Sequence, residues 1–163
     1  MKKRILSGIL VAAMATTMFA TTVFAAEGTG ETLVVYNNAN EIPAPGHEDD
    51  PDWAVVIPNK IEFTDEVNEI DTTVKLVPKY GHTLEGVANV DVKVSSAHSY
   101  QMQLQGGSDP VSYDLTYGEN TNNGTVGVMS EDVTTIAGTA TMTGTATELG
   151  EHTDVLTYTI TTP

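Results

Sequence analysis

Seven residues, HEDDPDW from His47 to Trp53, hold the densest set of groups able to do chemistry in this chain. Glu48, Asp49, Asp50 and Asp52 offer the hard carboxylate oxygens that a calcium ion takes. Their spacing lacks the alternating Asp-x-Asp-x-Asp-Gly ligands of the helix-flanked calcium loop. An acidic run broken by proline is also the composition of a solvated linker. Calcium is the one ion these residues nominate, the competing reading is a linker, and no cofactor is expected. The four histidines, His47, His82, His98 and His152, fall in neither H-x-x-x-H nor H-E-x-x-H spacing, so zinc has no local ligand pair. For covalent catalysis the chain has no cysteine and no G-x-S-x-G elbow. Ser108 lies in QGGSDP, a turn composition. Ser95, Ser96 and Ser99 flank His98, but neighbours along a strand point to opposite faces and do not assemble a triad. The expectation is a protein that is not an enzyme. Trp53, the only tryptophan, could stack on a sugar ring; the competing reading is a core or end-cap side chain.

The elements that must position these residues begin with the first 28 positions, MKKRILSGILVAAMATTMFATTVFAAEG. They show the three zones of a secretory signal: Lys2, Lys3 and Arg4, an apolar run from Ile5 to Phe19, and the small-residue site Val23-Phe24-Ala25. The run is shorter than the roughly 20 residues a spanning helix needs. Residues 1–25 therefore read as a cleaved signal peptide, with Ala26 the alternative last residue. No membrane insertion is expected after cleavage, and the absence of cysteine excludes a lipid anchor. Cleavage leaves four lysines, Lys60, Lys75, Lys79 and Lys93, against 22 acids, a formal −18. Such a surface repels nucleic acid and anionic lipid, and admits neutral, basic or cation-bridged partners. An exported chain with no cysteine must stabilise itself by its core alone, a habit more at home on Gram-positive bacteria.

Residues 26–52 read as an acidic, proline-rich arm or linker with one short β-prone island, TLVVY, where Leu33 and Val35 share a face. They could form a strand of their own domain or one donated to another copy. From residue 53 to 163 the period-two signal dominates. WAVVIPNKIEF predicts two extended pieces hinged at Pro58-Asn59. VDVKVSS puts Val90, Val92 and Val94 inside, YQMQLQ puts Tyr100, Met102 and Leu104 inside, and VSYDLTY aligns Val111, Tyr113, Leu115 and Tyr117. TATMTGTAT carries threonines on one face from Thr139 to Thr147, and DVLTYTIT turns Leu156, Tyr158 and Ile160 inward. Turn compositions separate them: YGHTLEG, QGGSDP, GENTNNG and ELGEH. The predicted fold is all-β, an antiparallel β-sandwich of the Ig-like or Greek-key type with about seven to nine strands.

WAVVIPNKIEF, VKVSSAHSYQMQL and HTDVLTYTITTP, in that order, resemble the small secreted β-sandwich proteins of Gram-positive surfaces, in particular the WxL surface domain. Its two Trp-x-Leu motifs correspond here to Tyr100-Gln101-Met102 and Tyr158-Thr159-Ile160, which keep aromatic-x-aliphatic and lack the tryptophan and leucine. The ending also resembles the terminal strand of coat-protein-U-like and pilus-like subunits. The resemblance implies a non-catalytic exported surface protein that associates non-covalently with cell-wall glycan or with other surface proteins. A subunit that self-associates by strand addition is the alternative, and a secreted glycan-active or peptidase enzyme is the alternative of a different class. The expected location is outside the cell, in the medium or on the wall, where the folded domain itself must do the holding.

Overall fold

The computed structural model describes residues 40–162. The expected signal peptide and the TLVVY island with Leu33 and Val35 lie outside the described residues. Within them the fold is all-β. Thirteen strands follow in chain order: β1 (Glu41–Pro43), β2 (Trp53–Val56), β3 (Glu69–Asp71), β4 (Val74–Pro78), β5 (Val90–Ser96), β6 (Gln101–Leu104), β7 (Val111–Tyr117), β8 (Asn120–Thr121), β9 (Thr125–Met129), β10 (Thr135–Ile136), β11 (Gly138–Met142), β12 (His152–Thr153) and β13 (Leu156–Thr161). All pairings are antiparallel, in three sheets ordered β1-β2-β4-β10, β12-β6-β7-β11-β3 with β8 beside β7, and β13-β5-β9.

Thirteen strands exceed the expected seven to nine for two reasons: two long ones are each broken where they turn from sheet to sheet, and β1, β8 and β12 are pieces of only two or three residues. β4 pairs β10 with Thr135 opposite Lys75, and β3 pairs β11 with Thr139 opposite Asp71. The two registers are one register, continued through Thr72 N–H to the Gly138 carbonyl at 2.9 Å. A single antiparallel ladder therefore runs from one sheet into the next and bends at Thr72-Thr73 and Ala137-Gly138, the corner by which sandwich sheets are joined. Only eight of the thirteen strands have four residues or more.

The core lies between these sheets. The alternation of VDVKVSS and VSYDLTY survives intact: Val90, Val92, Val94, Tyr113, Leu115 and Tyr117 are all buried in one cluster with Trp53, Val55, Val74, Leu76, Val126, Met129, Ala140 and Ile160. This is the pattern of a strand with one face dry. The other strands depart from expectation in instructive ways. Leu156, Tyr158, Tyr100 and Met102 are half-buried and pack against the cluster from its rim. In β6 Gln101, Met102 and Gln103 are all half-buried, so the clean inside-outside alternation expected of YQMQLQ is absent. TATMTGTAT is a strand only to Met142. Gly144 ends it, because a Cβ there would stand 2.6 Å from the Ser112 backbone nitrogen. Residues 57–63 form no second extended strand after Pro58.

The acidic linker expected up to residue 52 is also corrected. Glu41–Pro43 pairs with β2, Ala44 N–H reaches the Trp53 carbonyl at 3.1 Å, and Ala44 is 4 % exposed. Ile42 and Ala44 supply apolar contacts that outweigh the polar composition around them.

Candidate functional site

The outward faces of β7, β11 and β3 form one polar surface. Residues opposite one another in an antiparallel pair share a face, so the registers give its rows directly. One row is Thr121, Thr116, Thr139 and Asp71. The next is Asp114, Thr141 and Glu69, and beside it stand Gln101 and Ser112. These nine side chains are half-buried or exposed. None is a large apolar group and none is cationic. Their period-two positions follow from VSYDLTY and GTATM, whose other faces are committed to the core. Neighbouring strands lie about 4.8 Å apart and successive same-face residues about 6.8 Å, so the hydroxyls sit on a regular grid. Thr116 and Thr121 hydroxyls meet at 2.9 Å, and Asn122 Nδ2 donates to Asp114 Oδ1 at 2.9 Å, which holds this end of the grid in place. Such a face offers donors and acceptors to a neutral polyhydroxylated or amide-rich chain and repels anions.

The expected binding positions lie elsewhere. Trp53 is 9 % exposed and belongs to the core, so it is not a stacking platform, although its edge borders an open groove of about 480 Å³ with Asp52, His82 and Glu85. Tyr100, Met102 and Tyr158 are half-buried against the core and Ile160 is buried in it, so their aromatic-x-aliphatic pattern contributes to packing. The calcium candidates are not brought together. Glu48 Oε1 accepts the Gly46 N–H at 2.9 Å, Asp52 pairs with His82 at 3.2 Å, and no group of three or more metal-ligating side chains exists among the described residues. Glu48, Asp49 and Asp50 lie in the exposed bends of the β1–β2 loop, where their carboxylates do not converge on one point.

Two buried carboxylates escaped sequence reasoning. Asp154 lies between β12 and β13, with its side chain 3 % exposed. It accepts hydrogen bonds from the Ser96 hydroxyl at 2.6 Å, the Tyr113 hydroxyl at 2.7 Å, the Val155 N–H at 2.7 Å and the His98 N–H at 3.1 Å, with His98 Nδ1 also at 3.1 Å. Serine, histidine and aspartate thus meet after all, but in the wrong order for acyl transfer. A triad places the histidine between the other two, whereas here the serine O–H donates directly to the carboxylate. The Ser96 oxygen meanwhile accepts the N–H groups of His98 and Tyr100. No imidazole faces the hydroxyl, and the cluster ties the β5–β6 turn to the start of β13. Asp109, 8 % exposed in the β6–β7 turn, does the same for the segment before β12. It accepts from the Thr147 N–H at 2.7 Å, the Glu148 N–H at 2.9 Å and the Thr147 hydroxyl at 2.8 Å, with His152 Nε2 at 3.1 Å. Thr147, expected on a strand face, is instead a ligand of this carboxylate. An aspartate in a turn composition carries no sequence signal for such a role, since its partners are more than 30 residues away.

Both carboxyls are held below the ordinary aspartate range. For Asp109 the Glu148 N–H, then the Thr147 hydroxyl and N–H, are the cause. For Asp154 burial pushes upward, and the hydrogen bonds from Ser96, Tyr113, Val155 and His98 more than offset it. A folded-state pKa below the unfolded one means the folded chain binds fewer protons. The stability so gained is present above an unfolded pKa of about 3.9 and is lost as pH falls through the lower folded value. The wild-type melting temperature is therefore expected to fall below about pH 4 more steeply than that of Asp109→Asn. Thermal melts of both from about pH 6 to about pH 2.5 check this; parallel curves would show that Asp109 gains nothing from its cage.

Tyr117 and Tyr158 share a further internal bond, hydroxyl to hydroxyl at 2.8 Å, and Tyr117 also donates to the Thr72 carbonyl at 2.9 Å. Burial pushes both phenols well above their ordinary range, so they remain neutral cross-links between the sheets. No family model, no curated protein and no solved structure matches this chain.

Proposed function

We propose that the chain is a non-catalytic exported surface protein that holds neutral cell-wall glycan, or a surface protein of similar chemistry, through the polar face of β7, β11 and β3. The observation that carries the reading is that face: nine aligned hydroxyl, amide and carboxylate side chains with no apolar or cationic member. A flat array of hydrogen-bond groups gains little by binding water differently, but a repeating polyol can meet many of them at once. Each contact is worth only about 0.5–1.5 kcal/mol, so useful affinity requires a polymer.

The test is sedimentation of purified protein with insoluble peptidoglycan, with and without chelator. The wild type is expected in the pellet under both conditions. The triple variant Thr116→Val, Thr139→Val, Thr141→Val keeps shape and β propensity and removes three hydroxyls. It is expected to remain folded and to lose binding at least about tenfold, the equivalent of roughly 1.4 kcal/mol. Wild-type protein that stays in the supernatant would overturn the glycan reading. Equal binding by the variant would move the site off this face.

Assembly by strand addition is a second reading. β13, a six-residue strand, ends its sheet with no neighbour on one side among the described residues.

A further inference from the structure

Among the described residues the three sheets have six outer edges besides the two-residue β8, and five of the six are blunted by devices that oppose further pairing. β1 is three residues long, with Pro43 in it and Glu41 paired to Lys79 at 2.7 Å. β3 is three residues with two acids, Glu69 and Asp71. β10 and β12 have two residues each. β9 carries an irregularity where its pairing with β5 shifts between Val92 and Lys93, next to Gly127. The sixth edge, β13, reads LTYTIT: six residues with no charge, proline, glycine or bulge.

The free side of β13 can be specified. Ala97 N–H bonds the Val155 carbonyl at 2.9 Å, which makes these two a hydrogen-bonded pair. Pairs alternate along an antiparallel ladder. Thr157, Thr159 and Thr161 therefore direct their backbone groups at β5, and Leu156, Tyr158 and Ile160 present theirs to the open edge. The same strand is incompletely covered on its inner face. Val94 on β5 is buried, while Tyr158 opposite it and Leu156 opposite Ser96 are only half-buried. An added strand with apolar residues at alternate positions would close that side.

We infer that the occupant is a second copy of this chain, paired antiparallel through β13 about a two-fold axis at Tyr158 or Thr159. The strand is self-complementary in that arrangement. With the axis at Tyr158, Leu156 faces the copy's Ile160 and Thr157 faces its Thr159; with the axis at Thr159, Tyr158 faces Ile160 and Thr159 faces its own copy. In both, apolar meets apolar on the inner side and hydroxyl meets hydroxyl on the outer side, the pairs that stabilise sheets. Two three-stranded sheets become one of six strands. The contact is isologous, so it closes as a dimer and does not propagate as a fibre. The formal charge of −18 per mature chain opposes it, which makes the dimer salt-strengthened because the paired strands themselves are uncharged.

Sedimentation equilibrium of the full mature protein tests this between about 0.01 M and about 0.5 M salt, where screening rises several-fold. The expected result is a monomer–dimer equilibrium that tightens with salt. Thr159→Glu puts like charges against the same edge from an exposed position, and is expected to raise the dimer dissociation constant about tenfold or more with an unchanged melt of the monomer. Hydrogen exchange should show the Leu156, Tyr158 and Ile160 amides protected at high protein concentration and open at low. Three results overturn the inference: a monomer at every concentration, a dimer indifferent to Thr159→Glu, or protection of these amides that does not depend on concentration.

Discussion

Replacing Gly138 with alanine is expected to destabilise the fold by about 3 kcal/mol, and by more if the neighbouring ring cannot move. Gly138 stands at the sheet corner, opposite Tyr117 in one pairing and opposite Thr72 in the continued ladder. The Tyr117 ring lies across it to reach the Thr72 carbonyl. A Cβ at 138 would sit 2.2 Å from Tyr117 Cε1, 2.5 Å from its Cδ1 and 2.7 Å from Thr72 Oγ1. Tyr117 is 1 % exposed and Thr72 is 0 % exposed, so neither can swing into solvent. Displacing the ring would break its bonds to Thr72 and Tyr158, each worth about 0.5–1.5 kcal/mol and more when a buried partner is left orphaned. Thr72 Oγ1 already lacks a partner. Against this, alanine in a strand regains only about 0.5–1 kcal/mol of backbone entropy, so the sign is not in doubt. Gly107→Ala is the control. Its Cβ would meet only the Leu104 side chain, at 2.4 Å from Cδ2 and 2.9 Å from Cγ, and a leucine can change rotamer where an enclosed ring and a buried threonine cannot. Urea titration should separate the two by at least about 2 kcal/mol; equal midpoints would show that the corner repacks freely.

The corner also shows where sequence reasoning reached and where it stopped. A strand with one dry face writes a period-two pattern into its own residues, so β5, β7 and the inward side of β13 were legible in VDVKVSS, VSYDLTY and LTYTIT. The hydroxyl row through Thr139 and Thr141 was legible for the same reason. Its extension to Thr147 was not, because what ends β11 is the close approach of Gly144 to Ser112, thirty-two positions earlier. The strand Glu41–Pro43 was hidden because a short edge strand is specified by its neighbour, Trp53–Val56, more than by its own acids and prolines. Asp109 and Asp154 were hidden completely. A buried carboxylate is defined by donors gathered from distant turns, and no spacing encodes them.

Asp154→Ala is expected to cost about 2–4 kcal/mol, because the carboxylate satisfies groups from three parts of the fold at once. Ser96 closes β5, Tyr113 belongs to β7 in the other sheet, and Val155 leads into β13. Alanine leaves the buried Tyr113 hydroxyl without an acceptor, a loss of about 1–3 kcal/mol, and strips the Val155 N–H of its acceptor, while the His98 N–H keeps Ser96 Oγ. Ser96 also loses the acceptor of its O–H, but it is half-buried and can turn that proton to water, so it loses least. The same change should free the turn that carries Ser99 and Tyr100, both at left-handed backbone angles, φ +56° and +61°. Conformations of that kind persist only where the surroundings hold them, and here the Asp154 cluster does the holding. Asp154→Asn is expected to cost about half as much, because an amide can still accept from one side and donate to a hydroxyl on the other. Tyr113→Phe removes the orphan, so the double variant with Asp154→Ala should be less damaging than the sum of the two singles, by about 1 kcal/mol or more. Denaturant titrations of the four proteins, with hydrogen exchange at residues 97–100, provide the measurement. Strict additivity would mean that Tyr113 and Asp154 act separately, and an Asp154→Ala loss below about 0.5 kcal/mol would mean that the Asp154 cluster adds nothing to the apolar core and the Tyr117–Tyr158 bond in holding the sheets together.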